Sequence, residues 1–121
     1  MKLEKLEHEF SVCRIKDAAD IDLTDEFCFV GKTDQELSLV CVTQSVPQNI
    51  VAREDGWKGF RIHGVLDFSL VGILSRIATL LAEHQISIFA ISTYETDYIF
   101  TRSEQYGKAL DLLEQAGYSI S

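Results

Sequence analysis

Hydrophobic and polar residues alternate along several short stretches of this chain, which is the period of a strand with one buried face. This alternation predicts strands over residues 8–15, 27–33, 36–43, 57–63, 86–95 and 98–102, and a short final strand over 118–121. Elsewhere the apolar residues recur every three or four positions, the period of an amphipathic helix. The pattern therefore predicts strands and helices mixed along the whole chain.

Two helices follow clearly from this spacing. The first runs from about Ser69 to His84, and the second begins after Ser103, a good N-cap, and stops at Gly117. A weaker helical pattern covers Val46 to Glu54 and is opened by Pro47, a residue that fits the first turn of a helix.

Residues 27–54 resemble residues 86–113 in the order of their predicted elements, so the chain reads as two similar halves. Each half is predicted as strand, helix, strand, strand, helix, strand. Only the polar segment 16–26 occupies the place of the first helix in the first half, so that helix is truncated there. This order implies antiparallel sheets with helices on one face. The other face needs cover, and we expect a homodimer.

Composition narrows the class of protein. The 121 residues suffice for one compact domain or two very small ones sharing a core, and the net charge of −8 argues against a nucleic-acid partner. No apolar run is long enough to span a bilayer, and the first ten residues, MKLEKLEHEF, are not of signal-peptide type. We expect a cytoplasmic protein with no membrane partner. Cys13, Cys28 and Cys41 read as small buried hydrophobic residues.

The sequence singles out no catalytic or metal chemistry. Gly31-Lys32-Thr33 lacks the earlier glycine of a phosphate-binding loop, and a strand rather than a helix follows it. The three histidines show no metal-ligand spacing, so we expect neither a metal nor a cofactor. His84 suits a helix end, while His63, close to Asp67, is either structural or an acid–base group. We expect no catalytic residue and no enzyme.

A glycine at the start of the first helix points to a binding site instead. Gly72 follows the joint Leu66-Asp67-Phe68-Ser69, where free backbone N–H groups can bind an anion. Without a side chain at this position, a ligand could approach the backbone closely. An equally good interpretation is that Gly72 only allows the helix to pack tightly against the sheet.

A polar cluster lies on the later hairpin, where strand 86–95 changes from ISIFAI to STYETDY. Ser92, Thr93, Thr96 and Asp97 bring hydroxyls and a carboxylate to an otherwise apolar element. Backbone donors for a carboxylate on one side, and these groups for an ammonium on the other, would suit a free amino acid.

The segment LDFSLVGILSRIATLLAEHQISIFAISTYETDYIF, residues 66–100, resembles the second domain of the small tandem ACT-domain proteins. That family is similar to the regulatory part of aspartate kinases and to the cytosolic arginine sensor of animals. The upstream pieces ELSLVCVTQSVP and DGWKGFRIHGVLDFSL match the same family. The resemblance implies an α+β fold of tandem ferredoxin-like (βαββαβ) ACT domains. We assign residues 1–60 to a degenerate N-terminal ACT-like domain and residues 61–121 to a C-terminal ACT domain.

The resemblance also implies a function and a site. ACT domains bind a free amino acid and regulate an enzyme or a partner protein, without catalysis of their own. The alternative is a ligand-free interaction and dimerisation module. Backbone N–H groups near Val71 and Gly72 would hold the ligand carboxylate, and Asp97 or Asp67 would hold the ammonium. Carried onto this sequence, the binding residues are Asp67, Phe68, Ser69, Leu70, Val71 and Gly72 on the loop, and Ile91, Ser92, Thr93, Tyr94, Thr96 and Asp97 on the facing segment.

Overall fold

The computed structural model describes residues 1–63 and 72–121, which form eight strands and two α-helices. The strands are β1 (Lys2–Lys5), β2 (Phe10–Ile15), β3 (Cys28–Lys32), β4 (Leu37–Val42), β5 (Ile50–Ile62), β6 (Ile88–Ser92), β7 (Asp97–Arg102) and β8 (Ser119–Ile120). The helices are α1 (Ile73–Glu83) and α2 (Ser103–Gln115). The predicted mixture of strands and helices is confirmed.

The chain divides into two compact units. Residues 1–7 and 58–121 form one, here called the terminal unit, and residues 8–57 form the other, the inserted unit. Strand β5 crosses the division between Trp57 and Lys58. The predicted domains, residues 1–60 and 61–121, stay a prediction.

In the terminal unit, the elements follow one another along the chain from β5 as β5, α1, β6, β7, α2 and β8. Side by side in the sheet, the strands lie in the order β6-β7-β5-β1-β8. Strand β1 lies between β5 and β8, antiparallel to the first and parallel to the second. Both helices pack against one hydrophobic core, because their apolar stripes meet the inward side chains of the sheet. This core includes Leu3, Phe60, Ile62, Ile77, Leu81, Ile99 and Leu113, all fully buried.

The inserted unit is an antiparallel sheet in the order β3-β4-β2-β5. Short 3-10 turns stand between β2 and β3 (Ala18–Asp20) and between β4 and β5 (Thr43–Ser45). Its buried cluster contains Cys13, Ile15, Leu39 and Cys41. The segment in which a truncated first helix was predicted, residues 16–26, contains the 3-10 turn Ala18–Asp20.

The helix predicted over Val46 to Glu54 is wrong. Strand β5 already begins at Ile50, and Pro47 lies in the loop before it. Ala52, Arg53 and Glu54 favour helix locally, but they pair with Arg14, Cys13 and Val12 of β2. Because this pairing joins β5 to the sheet, tertiary contacts override the weak local preference.

Strand β1 is an element that the hydrophobic pattern did not predict. Its sequence Lys-Leu-Glu-Lys carries one apolar residue, Leu3, which is completely buried. A four-residue strand with charged residues around a single hydrophobic one gives too short an alternation to detect.

Candidate functional site

Gly72 lies at the start of α1 in a backbone conformation that favours glycine. Gly72 is the N-cap residue of α1, with φ +81° and ψ 4°. It was predicted in the first turn of the helix and so lies one position earlier than expected. Its carbonyl accepts the first helical hydrogen bond, from the Arg76 amide at 2.9 Å. Among the described residues, only the Arg76 Nη1 atom would lie within 4 Å of an added Cβ, at 3.5 Å. Within the described part of the chain, backbone conformation and not tight packing accounts for this glycine.

Five predicted loop residues, Asp67, Phe68, Ser69, Leu70 and Val71, lie outside the described residues. Their assignment to a ligand-binding loop stays a prediction. The undescribed stretch is residues 64–71, and the described residues on either side of it are His63, just after β5, and Gly72, at the start of α1.

A cavity of about 340 Å³ lies beside the start of α1. The first turns of α1 and the end of α2 form most of its wall, and its lining residues are Met1, Ile73, Arg76, Ala116, Gly117 and Tyr118. Gly117 has φ +103°, which reverses the chain after α2. Arg76 is the charged side chain among these lining residues, so the described wall is cationic. Its volume lies at the lower end of small-molecule sites.

On the hairpin, Ser92 and Asp97 are brought together as neighbours across β6 and β7. Their backbones pair directly, and the Ser92 hydroxyl donates a 2.6 Å hydrogen bond to Asp97 Oδ1. Ile91 on the same strand is half-buried, whereas the side chain of Tyr94 at the tip is 85% exposed. One carboxylate oxygen of Asp97 is thus bonded within the hairpin.

Thr93 and Thr96 close the hairpin turn. The Thr93 amide and hydroxyl both donate to the Thr96 carbonyl, each at 2.9 Å. The Thr96 side chain is buried, and its hydroxyl donates to the carbonyl of Ile62 at 2.8 Å. This bond fixes the turn to the end of β5.

A cluster of four polar residues on β1, β5 and β7 was not predicted, chiefly because β1 was not. His63 Nδ1 lies 2.5 Å from Glu4 Oε1, and Arg61 Nη2 lies 3.7 Å from Glu4 Oε2. The Arg61 Nη1 group also donates to the Tyr98 hydroxyl at 3.3 Å. The hydrogen bond from His63 and the nearby charge of Arg61 lower the pKa of Glu4. Among the described residues the partner of His63 is therefore Glu4.

Two further predictions about single residues can be compared with the structure. His84 is the C-cap of α1, and its Nδ1 atom lies 3.0 Å from the Leu80 carbonyl, which confirms a helix-end role. Thr33 lies in the turn from β3 to β4, where its amide donates to the Glu36 carbonyl. Gly31-Lys32-Thr33 thus leads into a strand, as predicted.

Within residues 1–63 and 72–121, no three His, Cys, Asp or Glu side chains are grouped so that they could hold a metal ion. Neither α1 nor α2, the two α-helices of the described residues, has the length and apolar character of a membrane-spanning segment.

Comparison with known proteins gives a family match. A family model of the ACT domain matches residues 52–115. A solved structure of a protein from Agobacterium tumefaciens is 31% identical, with a TM-score of 0.87 over 99% of this chain and 91% of that one. A Vibrio cholerae protein of unknown function is 24% identical, with a TM-score of 0.73 over 93% of this chain and 86% of that one. No curated protein matches significantly.

The fold also occurs within a larger enzyme. The aspartate kinase of Clostridium acetobutylicum has a TM-score of 0.66 and 14% identity over 94% of this chain. The matched region is 33% of that enzyme, so this chain spans about a third of its length.

Proposed function

Because this chain belongs to the ACT-domain family, we propose that it is a non-enzymatic regulatory protein that binds a free amino acid. The family is regulatory, and the resemblance to an aspartate kinase covers only a part of that enzyme. The ligand would change the interaction of this protein with a partner protein, by favouring one of two conformations.

The proposed site joins the start of α1 to the β6–β7 hairpin. The loop residues would be Asp67, Phe68, Ser69, Leu70, Val71 and Gly72, and the hairpin residues Ile91, Ser92, Thr93, Tyr94, Thr96 and Asp97. The ligand carboxylate would lie near Gly72, and its ammonium near Asp97 or Asp67. Free amides at the start of a helix favour an anion there.

The observation that supports the carboxylate end of this site is the cationic cavity beside α1, whose described lining residues include none of the hairpin residues. Arg76 lines it, and its guanidinium lies close to Gly72, where we place the ligand carboxylate. An arginine binds a carboxylate through charge-assisted, often bidentate hydrogen bonds. The net charge of −8 disfavours the binding of a carboxylate to this chain. The local positive charge of Arg76 offsets this repulsion at the cavity.

We further propose that the inserted unit is a degenerate copy of the ACT fold. Its order of elements, β2, turn, β3, β4, turn, β5, parallels β5, α1, β6, β7, α2, β8 of the terminal unit. The strand orders β3-β4-β2-β5 and β6-β7-β5-β1-β8 also correspond if β1 is an addition. Strand β5 would then be the last strand of one copy and the first of the other. Short turns in place of helices leave apolar surface to be covered, which favours a homodimer.

Thermal unfolding with each proteinogenic amino acid tests the binding proposal. A site occupied at 100 times its dissociation constant stabilises the folded protein by about 2.7 kcal/mol. We expect a rise in melting temperature with one amino acid or a small group of them. The Arg76→Gln variant should lose most of this rise, while Arg14→Gln, an exposed arginine on β2, should keep it. No shift with any amino acid at saturating concentration would refute the proposal.

A ligand-free interaction module is the second candidate, and the hairpin favours it. Ser92 already bonds Asp97, and the Thr96 hydroxyl already bonds Ile62. Polar groups satisfied within the protein gain less from a ligand. This candidate predicts a dimer in sedimentation experiments whose stability is unchanged by every amino acid and by Arg76→Gln.

A further inference from the structure

The three cysteines of the chain come together on one face of the inserted unit's sheet. Cys28 on β3 lies directly opposite Cys41 on β4. Cys13 on β2 is paired with Leu39, two residues from Cys41 along the same face of β4. All three are free thiols, and all three belong to the buried cluster of this unit or pack against it.

The register shows which two cysteines have the backbone geometry of a disulfide. The Thr33 amide donates to the Glu36 carbonyl, which makes Thr33 and Glu36 a hydrogen-bonded pair. Such pairs alternate with non-hydrogen-bonded pairs along an antiparallel ladder, and five steps further the pair is Cys28 and Cys41. It is therefore a non-hydrogen-bonded pair, whose Cα atoms are typically about 4.5 Å apart. Disulfides span Cα separations of about 4.4–6.8 Å.

Cys13 does not have this geometry. It is diagonal to Cys41 across β2 and β4, a relationship with a typical Cα separation of about 7–8 Å, beyond the disulfide range. Its side chain nevertheless lies close enough to help raise the pKa of the Cys41 thiol. The closeness of the side chains therefore does not identify the disulfide partner of Cys41. The spacing of the backbones does, and it favours Cys28.

We propose that Cys28 and Cys41 are an oxidation site at which a small peroxide closes a cross-strand disulfide. The Cys28 sulfur attacks one oxygen of hydrogen peroxide, the O–O bond breaks, and water leaves, which gives a sulfenic acid. The Cys41 sulfur then attacks this sulfur and displaces a second water. The two thiols lose two electrons and two protons in total, and the peroxide is reduced to two molecules of water.

Exposure sets the order of these two steps. Cys28 is half-buried and reaches solvent, whereas Cys41 is 1% exposed and is reached only from within the sheet. Burial raises the pKa of both thiols, that of Cys41 to about 12. Because the thiolate is the reactive form, the raised pKa values make the reaction slow. Because the site is largely buried, a small neutral oxidant reaches it better than a charged disulfide such as oxidised glutathione.

The experiment uses the reduced full chain, treated with hydrogen peroxide while folded, then unfolded and alkylated. We expect two of the three thiols to be protected from alkylation. Peptide mass mapping should join Cys28 to Cys41 with the loss of two hydrogen atoms, and dithiothreitol should reverse the change. The oxidised protein should melt at a higher temperature, since the link restricts the unfolded chain.

Variants separate this site from other thiol chemistry. Cys13→Ala should form the same link, and Cys28→Ser should form no link within the chain; circular dichroism checks that both are folded. A link between Cys13 and Cys41, or sulfinic acid at Cys28 without a link, would overturn the proposal. So would three free thiols in the folded protein at a peroxide dose that fully oxidises the unfolded one.

Discussion

The hydroxyl of Tyr106 donates a 2.6 Å hydrogen bond to the carbonyl of Gly59, and both residues are buried. The same carbonyl accepts a second bond, 3.0 Å long, from the amide of Leu6. One backbone oxygen therefore joins α2, β5 and the segment after β1. Burial raises the pKa of Tyr106, so its hydroxyl keeps the donated proton well into the alkaline range.

Removing this hydroxyl should destabilise the protein by a modest amount. In Tyr106→Phe the Gly59 carbonyl keeps its bond from Leu6, so the expected loss is about 1 kcal/mol in the free energy of unfolding. Denaturant unfolding measures it. Tyr94→Phe removes the same group from a side chain that is 85% exposed and should change stability by less than about 0.5 kcal/mol. Equal effects in the two variants would contradict the role given to the buried bond.

Gly59 is also a position where a side chain cannot fit. A Cβ atom there would lie 2.6 Å from Cδ1 of Phe100 and 3.0 Å from the Ile99 carbonyl oxygen. Gly59→Ala should therefore cost about 1–3 kcal/mol in the free energy of unfolding, as overpacking does elsewhere.

Gly107→Ala is the matched control for Gly59→Ala. Gly107 lies inside α2, and outside the backbone of its own helix an added Cβ would meet no atom of residues 1–63 and 72–121 within 4 Å. Alanine should stabilise the helix there by about 0.5–1 kcal/mol. The two substitutions are expected to shift the denaturation midpoint in opposite directions, and a shared direction would show that the contact with Phe100 is unimportant.

The elements of the terminal unit were predictable where local signals agree with burial. The hairpin β6–β7 alternates clearly, and α2 is framed by Ser103 and Gly117, although the N-cap is Arg102 and Ser103 is the first helical residue. Strand β1 and the first half of β5 were not predictable, because both depend on partners distant in sequence. Leu3 pairs with Ile62, and Ala52 pairs with Arg14.

The candidate site could be proposed from its residue types, and it stays a prediction, but the bonding of those residues could not be read from the sequence. Gly72 lies at the start of α1 with a φ angle of +81°, which suits glycine. A glycine just before a helical pattern can be recognised from the sequence alone. The internal bonds of Thr96 to Ile62 and of His63 to Glu4 are not visible, since they join residues far apart in the chain. Arg76 was not singled out, since nothing local shows that the end of α2 lies beside it.

The contact between Glu4 and His63 predicts a change in titration. The bond from His63 lowers the Glu4 pKa, and Arg61 adds to this. Since the folded-state pKa is below the unfolded one, the stabilisation is present above the ordinary glutamate pKa of about 4.3 and is lost as pH falls through the folded-state value. NMR titration of the Glu4 carboxyl should show a higher pKa in His63→Ala. His8→Ala, whose ring contacts Glu26, should leave it unchanged.

Gly72 allows a test of the start of α1 that is independent of any ligand. An L-residue with φ near +81° is strained, so Gly72→Ala should lower the free energy of unfolding by about 1 kcal/mol. Asparagine tolerates this conformation better, and Gly72→Asn should lose less. Gly31→Ala, at an exposed position of β3 where an added Cβ would meet Ser38 Cβ only at 4.0 Å, is the control and should lose nothing. The order of stability at position 72, Gly above Asn above Ala, is specific to a left-handed backbone. If alanine is tolerated as well as glycine in denaturant unfolding, the helix begins differently, and the proposed place of the ligand carboxylate must be abandoned.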